Sequence, residues 1–171
     1  MVIPTIIVLP FEERGSIPNN PRFPALVYQQ AFRPDHADLA AMMEQRFEEN
    51  GWPPAWRNGI YDFHHYHSKG HEVLGIANGS AELILGGDGG RELAVRAGDV
   101  VLLPAGTGHC RLSASSDLLV VGAYPPGQSG DILRDAPTAA IRAAISRLAR
   151  PAADPVSGRD GPMLTQWSDG L

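Results

Sequence analysis

Four side chains in two short stretches carry the chemistry this sequence can do: His65 and His67, two apart, Glu72 five further on, and His109 after a Pro-Ala-Gly turn. Imidazole nitrogens and carboxylate oxygens are ligands for divalent transition ions. Three of the first with one of the second suit manganese, iron, nickel, copper or zinc, and they leave positions open for a small molecule. The four converge if the segments 59–79 and 98–113 are strands of one barrel.

Strand geometry predicts that convergence. Successive side chains of a strand point to opposite faces, so Phe63, His65 and His67 share one face and His64 and Tyr66 the other. Ser68, Lys69 and Gly70 read as a break, after which EVLGIANG resumes a strand with Glu72 at its start. The segment ELAVRAGDVVLLPAG ends in the turn formers of 104–108, which deliver His109 onto the next strand. Arg111 and Ser113 alternate with His109, so both are expected in the same cavity. There Arg111 could pair with an anionic substrate, or else snorkel to the rim or make a structural ion pair. His71 is the rival to Glu72 as fourth ligand, and an imidazole in that place would favour later metals.

With these residues in place the chain resembles the cupins. The family's first motif is a glycine, five residues, His-x-His, three or four residues, Glu, six residues and a glycine, and it falls on Gly59, His65, His67, Glu72 and Gly79. The second falls on Gly98, Pro104, Gly106 and His109, with Ser113 standing where Asn is usual. In cupins the three histidines and the glutamate generally bind the metal and the final Asn does not, so the departure touches a substrate contact rather than the ion.

The resemblance implies a double-stranded β-helix, an all-β jelly-roll barrel with the metal at its mouth. It implies a metal-dependent enzyme acting on a small organic molecule, a dioxygenase or related oxidoreductase. A non-catalytic module that binds a metal or small ligand is the alternative, and a metal-free sugar isomerase or epimerase a further one. The motifs do not assign a catalytic residue. Many cupins pair through a barrel edge, which the apolar TIIVLP strand near the N-terminus could cover, so a homodimer is expected by resemblance.

The surrounding elements read consistently with one domain over 1–171 and a barrel core at about 23–125. A helix is expected over 38–50, with Leu39, Met43 and Phe47 on one face and Gly51 as its stop. A second, over 138–149, places Ile141, Ile145 and Leu148 on a stripe before Pro151. The tail 151–171, rich in Pro, Gly and Asp, is expected to dock without regular structure through Met163, Leu164 and Trp167. The glycine run 86–90 lacks the following helix that a phosphate loop needs.

A formal net charge of -5 and the absence of a basic stripe argue against nucleic acid or an anionic membrane as partner. No apolar run approaches the ~20 residues that span a bilayer. The N-terminal stretch, broken by Pro4 and Pro10, reads as a strand rather than an export signal. The single Cys110 cannot form an internal disulfide, which fits the reducing cytoplasm.

Overall fold

Alternating apolar residues and glycine-bearing turns produce nine strands and three helices in the computed structural model, which describes residues 3–168. In chain order these are β1 (Thr5–Leu9), β2 (Ala25–Gln29), α1 (Leu39–Glu49), β3 (Pro54–Asn58), β4 (Glu72–Asn78), β5 (Ser80–Leu85), β6 (Arg91–Arg96), β7 (Val100–Leu103), β8 (His109–Ala114), β9 (Leu119–Ala123), α2 (Ala139–Arg147) and α3 (Pro162–Gln166). Six strands form one sheet in the order β1-β2-β7-β4-β9-β3, and three form a second in the order β6-β5-β8. Every pairing is antiparallel, and the two sheets face each other as a jelly roll.

The larger sheet is covered on both sides, which is why β4 and β7 are almost wholly buried instead of alternating with solvent. Alternation along β4 sends Val73 and Ala77 into an outer cluster with Phe23, Phe47, Trp52 and Trp167. Leu74 and Ile76 go into the barrel with Leu83, Leu85, Val101 and Val120. Helix α1 closes the outer side, with Asp38 capping its first turn through the Ala41 N–H (3.1 Å). Gly75 lets it come close, since a Cβ there would stand 2.7 Å from the Met43 sulfur.

Helix α2 begins at the expected place, where the Thr138 side chain accepts from the Ile141 N–H (3.2 Å). It buries Ile145 against Ile17, Tyr66 and Ala105 and so backs the two loops that carry the histidines. The tail departs from the irregular coil expected of it. Gly161-Pro162 starts the short α3, because proline at a first helical position has no N–H to lose. Buried Asp154 fastens this segment, accepting from the Tyr28 hydroxyl (2.6 Å) and from the N–H groups of Val156 (2.8 Å), Ser157 (3.0 Å) and Met163 (3.0 Å). Trp167 then stacks on Phe23 with ring centroids 5.0 Å apart. Among the described residues no helix is long and apolar enough to cross a membrane.

Candidate metal centre

The segment carrying His65 and His67 is extended but is not a continuous strand. It makes two isolated antiparallel bridges, His65 with His109 and Tyr66 with Leu133. The His65 and His109 backbones exchange both hydrogen bonds, 3.3 and 3.0 Å. Alternation persists over this short run, so the His65 and His67 rings reach the cavity while Tyr66 packs on the far side with Ala105 and Ile145.

His109 opens β8 one residue after a four-residue turn closed by the Thr107 N–H on the Pro104 carbonyl (3.1 Å). Gly106, third in that turn, has φ of 89°, a conformation that glycine adopts without cost. Its N–H donates to the His67 carbonyl (2.7 Å), which ties the turn before one ligand to the backbone of another.

A ligand atom from each of His65, His67 and His109 lies within 4.8 Å of the others, and all three residues are buried. Glu72 Oε1 stands 3.2 Å from His67 Nε2 and 3.4 Å from His109 Nε2. Each ring is turned by its other nitrogen. His65 Nδ1 meets the Phe63 carbonyl at 3.0 Å, His109 Nδ1 the Thr107 carbonyl at 3.0 Å, and His67 Nδ1 the Asp131 carbonyl. A carbonyl only accepts, so Nδ1 bears a proton in each ring and Nε2 is the nitrogen turned to the centre, the arrangement that ligating histidines adopt.

The electrostatics suit a cation. Burial and the neighbouring His109 push the His65 pKa down to about 3, so this imidazole is neutral. Burial also opposes a charge on His67, but the Glu72 carboxylate beside it and the Asp131 contacts outweigh burial and raise its pKa. Burial likewise opposes the Glu72 charge, yet the His67 charge and the hydrogen bonds from His109 and His67 hold its carboxyl well below the usual range. The pair keeps a proton where a metal would supply positive charge instead. Buried imidazole nitrogens, an ionised carboxylate and an adjoining cavity fit a divalent transition ion.

Three supporting residues escaped the reading of the sequence. The Tyr124 hydroxyl donates to Glu72 Oε2, and Trp56 Nε1 donates to the Tyr124 oxygen (3.0 Å). Asp131 accepts from the Ser68 N–H (2.8 Å), the Lys69 N–H (3.0 Å) and the Ser68 hydroxyl (2.6 Å), fixing the loop after His67. Tyr124 was within reach, because alternation from Val120 along DLLVVGAY places it on the inner side. Trp56 was not, since its strand is five residues at a sheet edge starting on a proline.

Of the further cavity residues expected, only Arg111 lines the cavity. His71 does not, because alternation on β4 turns it to the outer side when Glu72 faces in. There its Nδ1 accepts from the Ala105 N–H (3.0 Å) and its Nε2 donates to the Ala149 carbonyl (3.1 Å), beside Phe23 and Trp167. Ser113 also faces away. Leu83 pairs with Arg111 but Glu82 with Ser113, so Leu112 is an extra residue that reverses the alternation beyond it. Phe63 stands behind His65 rather than in the wall, stacked on Tyr61 (4.8 Å) with the Arg134 guanidinium 4.2 Å over its ring.

The cavity above the histidines measures about 580 Å³ and runs between the two sheets. Its jelly-roll walls and the two glycine-bounded motifs that furnish the histidines make a cupin-like barrel whose buried histidine cluster could hold a metal ion. The chain belongs to the family of the uncharacterized protein YjlB of Bacillus subtilis (strain 168), to which it is 38% identical over 159 residues, 92% of this chain and 93% of that one. No family model matches it. Among solved structures it resembles a DUF861 family protein from Thermotoga maritima (22% identity, 48% of this chain and 85% of that one, TM-score 0.34). It also resembles the DMSP lyase DddQ from Ruegeria pomeroyi (18%, 75% and 50%, TM-score 0.37) and the Bacillus subtilis oxalate decarboxylase OxdC (18%, 68% and 29%, TM-score 0.38).

Proposed function

We propose that this cupin is a metal-dependent oxidoreductase of dioxygenase type acting on a small organic molecule, with His65, His67, Glu72 and His109 holding one divalent transition ion. The observation that carries the reading is the set of three Nδ1 contacts to backbone carbonyls, which present three Nε2 atoms to one buried point beside Glu72. When bound, such an ion supplies redox or Lewis-acid chemistry at its open positions.

The chain's own groups do the rest. Glu72 is held by Tyr124 at Oε2, which keeps Oε1 turned to the histidines. Burial and the Glu72 charge raise the Tyr124 pKa well above its ordinary value, so its hydroxyl keeps a proton at the cavity wall. Trp56, Leu74 and Leu118 exclude water around the substrate.

Elemental analysis of protein purified without chelators tests the ligand set, and oxygen uptake with a panel of diols and organic acids tests the reaction. About one equivalent of a transition metal, absent from His109→Ala, and substrate-dependent oxygen uptake are expected. Metal-free native protein that also refuses added manganese, iron, nickel and zinc would overturn the ligand set. Tight ligand binding by metal-replete protein with no turnover would replace the enzyme with a binding module.

A further inference from the structure

We propose that the cavity selects an organic acid with an apolar body, and that Arg111 holds its carboxylate. The inference takes from the reading above only that the histidine end receives the rest of the ligand. Arg111 follows His109 by two residues on β8, and the register there is regular, with Leu85 opposite His109 and Leu83 opposite Arg111. The two therefore share the inner face, roughly 6.5 Å apart along the strand.

Among the described residues Arg111 is the one Lys or Arg in the wall, and Glu72 the one carboxylate. Glu72 is already engaged by Tyr124, His67 and His109. Away from the histidines the cavity is thus a fixed cation without a fixed counter-anion. Arg111 is anchored by its Nε, which donates to the Ile60 carbonyl (3.0 Å). Its nearest carboxylate, Asp62, is 3.9 Å away with a side chain 73% exposed. At that distance and exposure the pair is screened by water and holds the guanidinium weakly. The N–H groups beyond Nε remain available for the bidentate contact that a carboxylate makes with arginine.

The other walls set the body of the ligand. Trp56, Ile60, Leu74, Leu118 and Ile132 line the cavity that Arg111 shares with the histidines. Tyr61 and Ile132 carry this apolar character to the mouth, where they are 48% and 46% exposed. A volume of about 580 Å³ lies within the range of cavities that enclose whole organic ligands. An apolar chain would displace water from these walls, so a longer acid gains over a short one.

Calorimetric titration of the protein as purified with hexanoate, its neutral analogue hexanamide, and acetate tests this, with metal content measured on the same samples. Hexanoate is expected to bind about tenfold or more tighter than either other probe, as a charge-assisted contact plus apolar burial would give. In Arg111→Gln the preference for hexanoate over hexanamide should vanish with metal content unchanged. Equal binding of hexanoate and hexanamide by the native protein overturns the inference without recourse to a variant. A preference that survives in Arg111→Gln also overturns it, because the carboxylate would then sit on the histidine centre. Native protein without metal that still shows the Arg111-dependent preference sustains this inference and removes the metal-dependent reading instead.

Discussion

Tyr124 and Glu72 share one hydrogen bond that divides the carboxylate between two tasks. The phenol donates to Oε2, and Oε1 is left 3.2 Å from His67 Nε2 and 3.4 Å from His109 Nε2. An outer partner of this kind orients a ligand and raises its basicity, and its loss typically weakens metal binding 10–100-fold. Tyr124→Phe should therefore keep the fold and lose about that much affinity in a chelator competition. Unchanged affinity would mean that Glu72 is held by the histidines alone.

His71 and His109 lie on opposite sides of the larger sheet, and their removal should have opposite signatures. His109→Ala is expected to abolish stoichiometric metal and leave the fold. His71→Ala should keep the metal but cost roughly 2–4 kcal/mol of stability, because it opens a void beside Phe23 and Trp167 and strips the buried Ala105 N–H of its acceptor. Denaturant midpoints and metal content measured on both variants check this.

The same histidine sets a pH dependence. Burial pushes the His71 pKa down to about 4 from the ordinary 6.5 of a histidine. Between these values the unfolded chain binds a proton that the folded one refuses, so stability is full above about pH 6.5 and falls as pH drops toward 4. The loss saturates at roughly 3 kcal/mol for a group this deeply buried. His65, pushed down to about 3, adds to the loss in the metal-free protein. Urea unfolding of metal-free wild type and His71→Asn at pH 7, 5.5 and 4.5 should show the shallower slope in the variant.

Acidification should release the metal before it unfolds the chain. Ligating imidazoles must be neutral at Nε2, and His67, whose pKa is raised beside Glu72, takes up the first competing proton as pH falls. Dialysis at pH 5 is expected to strip the metal while circular dichroism stays native. Full retention at pH 4 would contradict a centre in which His67 is a ligand.

Gly106→Ala tests the turn that delivers His109. Its φ of 89° and a would-be Cβ 2.8 Å from the Asn19 carbonyl oxygen make any side chain strained there. A loss of about 1–3 kcal/mol is expected, together with weaker metal binding, since the turn hydrogen-bonds the His67 backbone. A fully stable variant with normal metal content would show the turn to be more pliant than its geometry implies.

Where a short-range rule acted alone, the sequence was sufficient. The stripe of Leu39, Met43 and Phe47 becomes the buried side of α1, because a 3.6-residue period is a property of the segment itself. The alternation that pairs His65 with His67, and the turn formers before His109, likewise carry through to one cluster. Each of these signals spans only a few residues of the chain.

Tertiary structure decided what depends on register between distant strands. One extra residue at Leu112 sent Ser113 outward while leaving Arg111 within, and no local pattern marks that bulge. The face of β4 chose between His71 and Glu72, since only one of two adjacent side chains can point into the barrel. Trp56, Tyr124 and Asp131 support the centre from an edge strand, the end of β9 and a loop. Each is a lone residue whose partner lies tens of positions away in the chain, so its role exists only once the sheets have closed around the cavity.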